Sequence, residues 1–157
     1  MGVRLEEIEA VYRGCAGQFV QVAQAITGDR ERATEAVQDA FANAIRSRRS
    51  YRGDGPLEAW LWRAVVNAAR QAVRRPLVEV GREEARYELP PQVAELAPLV
   101  ARLPERQRLI VFLRYYADLD YRSIAAALEL EVGTVSSALA AAHASIRKSI
   151  RQVGTDA

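Results

Sequence analysis

A chain of 157 residues has room for one domain or two very small ones. Half of it is hydrophobic and 27% is charged, which excludes a disordered protein. The net charge is only +2, but residues 44–75 carry eight arginines against Asp54 and Glu58, a net +6, whereas residues 76–103 are net −2. A polyanionic partner is therefore expected on the first of these segments. One cysteine, Cys15, excludes an intrachain disulfide, and with the single histidine, His143, it excludes a thiolate or imidazole metal cluster. No metal or other cofactor is expected. No apolar run reaches the ~20 residues of a membrane span, so no membrane insertion is expected. The amphipathic start, MGVRLEEIEAVYRG, lacks a signal-peptide core, and a cytoplasmic location follows as an expectation.

Ala, Arg, Leu and Glu dominate, and Val/Ile runs typical of strands are rare, so the fold is expected to be all-α. Leu5, Ile8, Tyr12, Cys15, Phe19, Val22 and Ile26 recur three and four apart, predicting an amphipathic first helix with Cys15 buried on its apolar stripe. Thr27-Gly28-Asp29 breaks the pattern, and Asp29 is a candidate cap. A second helix over about 31–47 should bury Ala33, Val37, Ala40, Phe41 and Ala44. Residues 50–56, SYRGDGP, form a loop.

A third helix is predicted over 57–75, with Pro76 as its stop. Leu57, Trp60, Leu61, Ala64, Val65, Ala68 and Ala72 make its expected core face, and Arg63, Asn67, Arg70 and Arg74 share another. A basic stripe with Trp60 and Trp62 near its start suits an unstacked DNA strand: cations for phosphates, aromatic rings for bases. Asn67 can make paired hydrogen bonds to a base edge. A solvated polar face with both tryptophans in the core would give the same spacing.

Residues 76–103 hold, besides Pro76, prolines at 90, 91 and 98 and an acidic excess, reading as a linker with at most one short helical piece. A connection that long inside one compact domain is unusual, so two helical units are expected: 1–75 and 104–157. The second opens at Leu103-Pro104 and buries Leu109, Phe112, Leu113 and Tyr116. Asp120 is a candidate cap for a helix over 121–128, and Thr134 for one from 135 to about 152. The last helix should bury Val135, Leu139, Ala142, Ile146, Ile150 and Val153. Short helix, turn and long helix is the layout of a helix-turn-helix.

Three segments in series resemble the small two-domain sigma factors of bacterial RNA polymerase, the extracytoplasmic-function group of the sigma-70 family. GDRERATEAVQDAFANAIR resembles the polymerase-binding helix, most clearly at Val37-Gln38-Asp39 and Phe41. YRGDGPLEAWLWRAVVNAARQAVRR resembles the helix that opens the minus-10 element. LPERQRLIVFLRYYADLDYRSIAAAL followed by VGTVSSAL resembles the domain that reads the minus-35 element, a winged-helix-like helix-turn-helix without a wing.

The resemblance implies the partners and the sites. Glu35, Gln38, Asp39, Asn43 and Arg46 would dock on a coiled coil of the polymerase's largest subunit, and the second domain on its flap. Arg49, Arg52, Trp60, Arg63, Asn67, Arg70 and Arg74 would hold minus-10 DNA, the loop beside them receiving a flipped base. Arg122, Thr134, Ser136, Ser137 and His143 would face minus-35 DNA. An anti-sigma factor is a further implied partner.

The second domain departs from that pattern. Glu129 stands where the family usually has glycine, a position that often needs positive φ. Ser136, Ala138, Ala141 and His143 replace the usual Lys or Arg. Losing three or four phosphate contacts flattens the salt dependence of binding by roughly 0.9 per contact. Ala138, Ala140, Ala141 and Ala144 read as helix-forming alanines, the alternative being a face that packs on protein. The expected function is promoter-directed transcription initiation with a weak minus-35 contact, and no enzymatic activity. The alternative is a sigma-like adaptor or decoy that binds polymerase or a regulator without reading promoters.

Overall fold

The computed structural model describes residues 2–74 and 96–155, and every regular element among them is helical. The expected boundary at 75/76, Pro76 as a helix stop, and most of the expected linker lie outside the described residues. Helix α1 (Leu5–Thr27) packs against α2 (Arg30–Arg46) and α3 (Leu57–Arg74), forming a three-helix unit. A short α4 (Ala97–Ala101) leads into α5 (Glu105–Val111), α6 (Tyr121–Leu128) and α7 (Val132–Thr155).

Local chemistry sets the boundaries. Gly28 ends α1 in the left-handed region (φ 76°), and its N–H donates to the Gln24 carbonyl. Asp29 caps α2, accepting from the Arg32 N–H at 3.2 Å. Asp120 caps α6 in the same way, accepting from the Ser123 N–H at 2.7 Å. The chain before α1 is tied down: Val3 is buried, and its N–H donates to the Arg48 carbonyl at 3.0 Å in the 3-10 turn Arg48–Ser50.

The core of the first unit runs through Phe19, Val22, Phe41, Leu61, Trp62, Val65 and Val66, with the Phe19 ring edge-on to Phe41 at 5.1 Å and tilted against Trp62 at 4.3 Å. All five residues expected on the α2 core face are buried. On α1 the buried stripe is narrower than its spacing suggests. Leu5 and Tyr12 are exposed and Cys15 is only half-buried, because α2 and α3 cover the middle and end of α1 more than its first two turns.

On α3 the core face lies elsewhere than expected. Ala59, Leu61, Trp62, Val65, Val66 and Ala69 are buried, while Leu57, Trp60, Ala64, Ala68 and Ala72 flank them half-exposed. Large Trp62 and Val66 capture the interior ahead of the small alanines, rotating the helix about its axis.

After α5 the backbone widens into a π turn over Phe112–Tyr116, with the Ala117 N–H donating to the Phe112 carbonyl at 3.0 Å. Asp118 then takes positive φ and α6 begins. Helices α6 and α7 meet at 104°, the bend of a helix-turn-helix. Helix α7 starts at Val132, so Thr134 lies inside its first turn and is not its cap. Val135, Leu139 and Ala142 are buried, but Ile146 only half and Ile150 is exposed: α7 outruns the small unit that covers it. No single described helix is long and apolar enough to cross a membrane.

The two units also touch. Helix α6 packs on α3, and α1 meets α5 and the π turn, where the Gln18 side-chain amide donates to the Tyr116 carbonyl at 3.2 Å.

Candidate nucleic-acid interface

The face of α3 opposite its core carries Arg63, Asn67 and Arg74 exposed, with Arg70 half-buried beside them. Amphipathic spacing places them: the strong apolar side fixes the helix rotation, and the polar positions fall outward. At the head of this face, residues 51–56 fold back on Trp60. Gly53 supplies the left-handed turn (φ 77°), the Tyr51 hydroxyl donates to the Gly55 carbonyl, and the Tyr51 and Trp60 rings lie tilted with centroids 5.4 Å apart.

A cavity of about 350 Å³ opens there, lined by Tyr51, Arg52, Asp54, Trp60 and Arg63 of the first unit and by Ala126 of α6. It has a cation and an aromatic wall, the pairing that binds an unstacked base and its phosphate. Arg49 is exposed in the preceding turn but does not line the cavity. Trp62 is in the core, so the two tryptophans divide between interior and loop.

The expected polymerase-docking residues also come together. Glu35, Asp39, Asn43 and Arg46 line a groove of about 390 Å³ between α2 and α3, closed on the far side by Ala68 and Gln71. The Arg46 guanidinium donates to the Asn43 side-chain carbonyl, holding both side chains across one turn. Gln38 is exposed on the same helix but lies outside the groove.

On the helix-turn-helix, Ser136 and Ser137 are exposed and Thr134 half-buried at the start of α7. His143 is half-buried, its Nε2 2.7 Å from the hydroxyl of the exposed Tyr115. Arg122 is exposed on α6 one turn before Ala126, which lines the cavity, and Glu129 ends the helix in a left-handed conformation. Ala140, Ala141 and Ala144 are exposed and Ala138 half-buried.

Sequence reasoning missed three participants. The Glu129 carboxylate pairs with the Arg63 guanidinium, and Glu105 Oε1 lies 3.5 Å from Arg70 Nε. Both acids come from the second unit and both meet the basic stripe of α3. Tyr115 is the third. No periodic signal joins residues this far apart in the chain. Glu129 carried one hint, standing where the resembled family usually has glycine, and its φ of 56° is indeed left-handed.

The Cys15 thiol is pushed up by burial and then by the neighbouring Glu58 carboxylate, so it stays protonated. Among the described residues no group of His, Cys, Asp and Glu gathers to hold a metal.

Comparison with known proteins agrees with this arrangement. Residues 11–76 match the model of Sigma-70 region 2, and residues 88–145 that of Sigma-70, region 4. The chain is 28% identical over 145 residues to the RNA polymerase sigma-H factor of Pseudomonas aeruginosa, covering 78% of this chain and 75% of that protein. It is 32% identical over 139 residues to the ECF RNA polymerase sigma-E factor of Escherichia coli (strain K12), covering 74% and 73%. Two solved structures share the fold. CnrH in complex with the cytosolic domain of CnrY has a TM-score of 0.73 at 21% identity, covering 95% of this chain and 90% of that one. The sigma factor RpoE in complex with the anti-sigma factor NepR from Bartonella quintana has 0.68 at 18%, covering 93% and 95%. With two family models in order along it and relatives matched over three-quarters of their length, this chain belongs to the extracytoplasmic-function group of the sigma-70 family.

Proposed function

We propose that this chain directs core RNA polymerase to promoters and initiates transcription, gripping the minus-10 strand through α3 and the loop before it. The observation that carries the reading is the convergence of Arg63, Asn67 and Arg70 on one face beside the Trp60–Tyr51 cavity. In this reading residues 1–75 bind polymerase and the minus-10 element, 76–103 link, and 104–157 approach the minus-35 element and the polymerase flap. Arg63, Arg70 and Arg74 contact phosphates, with Arg49 and Arg52 flanking the loop. Asn67 reads a base edge, and Trp60 stacks on a base that enters the cavity. The α2 groove of Glu35, Asp39, Asn43 and Arg46, with Gln38 at its edge, meets the largest subunit's coiled coil.

The minus-35 grip is weak and nearly salt-independent. Ser136, Ser137 and Thr134 offer hydrogen bonds without charge, helped by free N–H groups at the start of α7, while Arg122 and His143 supply further candidates and Arg147, Lys148 and Arg151 lie farther along α7. Initiation therefore depends on the minus-10 contact. The protein acts in the cytoplasm, regulates transcription rather than catalysing a reaction, and is itself held by an anti-sigma factor, as the sigma factor RpoE is by NepR in one structure of the same fold.

Reconstitution with core polymerase tests the reading. Specific transcripts from genomic fragments are expected, lost on Asn67→Ala. Tight polymerase binding with no specific transcript from any fragment would instead make the chain an adaptor.

A further inference from the structure

The segment before α1 is held by the turn that leads into the minus-10 loop. Val3 is only 7% exposed and joins the hydrophobic core, and its N–H donates to the Arg48 carbonyl at 3.0 Å. Gly2 comes closer still: a Cβ there would stand 2.9 Å from Arg49 Cα and 3.0 Å from the Arg48 carbonyl oxygen. Only a residue without a side chain lies against that backbone without displacing it. On the other side Arg4 leads into α1, its N–H donating to the Glu7 carboxylate at 2.9 Å. Gly2 and Val3 therefore bridge α1, which is packed in the core, to the turn Arg48–Ser50.

The turn's other printed ties are local. Three residues long and with none of them buried, it rests on 3-10 hydrogen bonding, which has poorer geometry than the α-helical kind. The Ser50 N–H and hydroxyl both donate to the Ser47 carbonyl, at 2.8 and 2.7 Å, and the Arg48 guanidinium donates to the Ile45 carbonyl at 2.8 Å. These bonds shape the turn and join it to the end of α2, whereas Val3 joins it to α1. Downstream, Ser50 and Tyr51 line the Trp60 cavity, and the Tyr51 ring lies against Trp60. A shift of the turn passes directly to the aromatic wall of the cavity.

We propose that Gly2 and Val3 are positioning residues for the minus-10 loop: they clamp the Arg48–Ser50 turn to α1 and so hold Tyr51 and Arg52 beside Trp60, ready for an unstacked base. The proposal rests on the loop and α3 being the minus-10 surface. Neither residue touches DNA, and both act through the turn. A loop ordered in advance spares base capture the entropy cost of ordering it.

The test uses the full chain and three variants. Val3→Pro removes the N–H donor and keeps an apolar side chain, Gly2→Ala forces the turn away, and Val3→Ile keeps both the bond and the burial. Acrylamide quenching of Trp60 fluorescence follows the loop in the polymerase-free chain, read in a Trp62→Phe background where Trp60 is the only tryptophan. Promoter melting and core-polymerase affinity are measured in reconstituted enzyme with Trp62 in place. Val3→Pro and Gly2→Ala should each raise Trp60 quenching toward that of free tryptophan. Both should lower promoter melting about fivefold, the scale of one net hydrogen bond, with polymerase affinity unchanged. Val3→Ile should match the parent in all three readouts. Unchanged quenching in both Val3→Pro and Gly2→Ala would overturn the positioning role and leave the minus-10 reading standing. Raised quenching with normal melting would instead overturn the loop's part in minus-10 recognition, and the proposal with it. Parallel loss of melting and polymerase affinity would mark a general structural effect and also overturn the proposal.

Discussion

Trp60 and Trp62 stand two positions apart on α3, about 200° around a helix axis, and that turn separates structure from function. Trp62 is fully enclosed against Phe19, and its indole N–H finds no hydrogen-bond partner among the described residues. Trp62→Ala should lower stability by about 3–5 kcal/mol in chemical denaturation, through the cavity it leaves. Trp62→Phe should cost less than about 1.5 kcal/mol, because the ring volume largely survives and the unpaired donor goes. Trp60 is half-exposed on Tyr51, so Trp60→Ala should change the denaturation midpoint little and reduce promoter melting instead. The thiol of Cys15 is expected to react slowly with alkylating agents at neutral pH, since burial and Glu58 both hold it protonated.

At the scale of elements, the helix-turn-helix adds the Asp120 cap to its buried core. Asp120 holds the start of α6, and the N–H of Ser123 keeps its carboxyl below the usual aspartate value of 3.8, with Arg122 and Arg114 adding a smaller pull. A depressed folded-state value means that this stabilisation is complete above 3.8 and is lost as pH falls through the lowered value. Asp120→Ala should therefore lower the melting temperature at pH 7, and the gap to the parent should close below pH 3.8. Helix α7 presents Ser136 and Ala138 where a duplex reader would have cations. The S136R/A138R variant should bind duplex DNA more tightly, with a salt slope steeper by about 0.9 for each new phosphate contact. No gain would mean that this face does not meet DNA.

Taken whole, the molecule joins elements that periodicity announces with contacts that it does not. Helix existence, the caps at Asp29 and Asp120 and the α2 core were legible because each rests on neighbours within a turn or two. The α3 rotation was not, because alanine and tryptophan count alike in a spacing pattern while differing greatly in the surface they bury. Nor was the start of α7, where Val132 rather than Thr134 opens the helix. The polar stripe of Arg63, Asn67 and Arg70 was readable as a face. That Glu129 and Glu105 cover it was not, since pairing across two units depends on their packing. Exposed pairs of this kind contribute about 0–1 kcal/mol each, so they steer the arrangement without dominating the fold.

The claim on which the functional account turns is that α3 opens promoters while α2 holds polymerase. Promoter melting and core-polymerase affinity, measured side by side in reconstituted enzyme for the parent and Asn67→Ala, test it directly. The account predicts that melting falls by about 10-fold or more, as loss of a paired base contact implies, with polymerase affinity unchanged. Equal loss of both, or loss of neither, would contradict it.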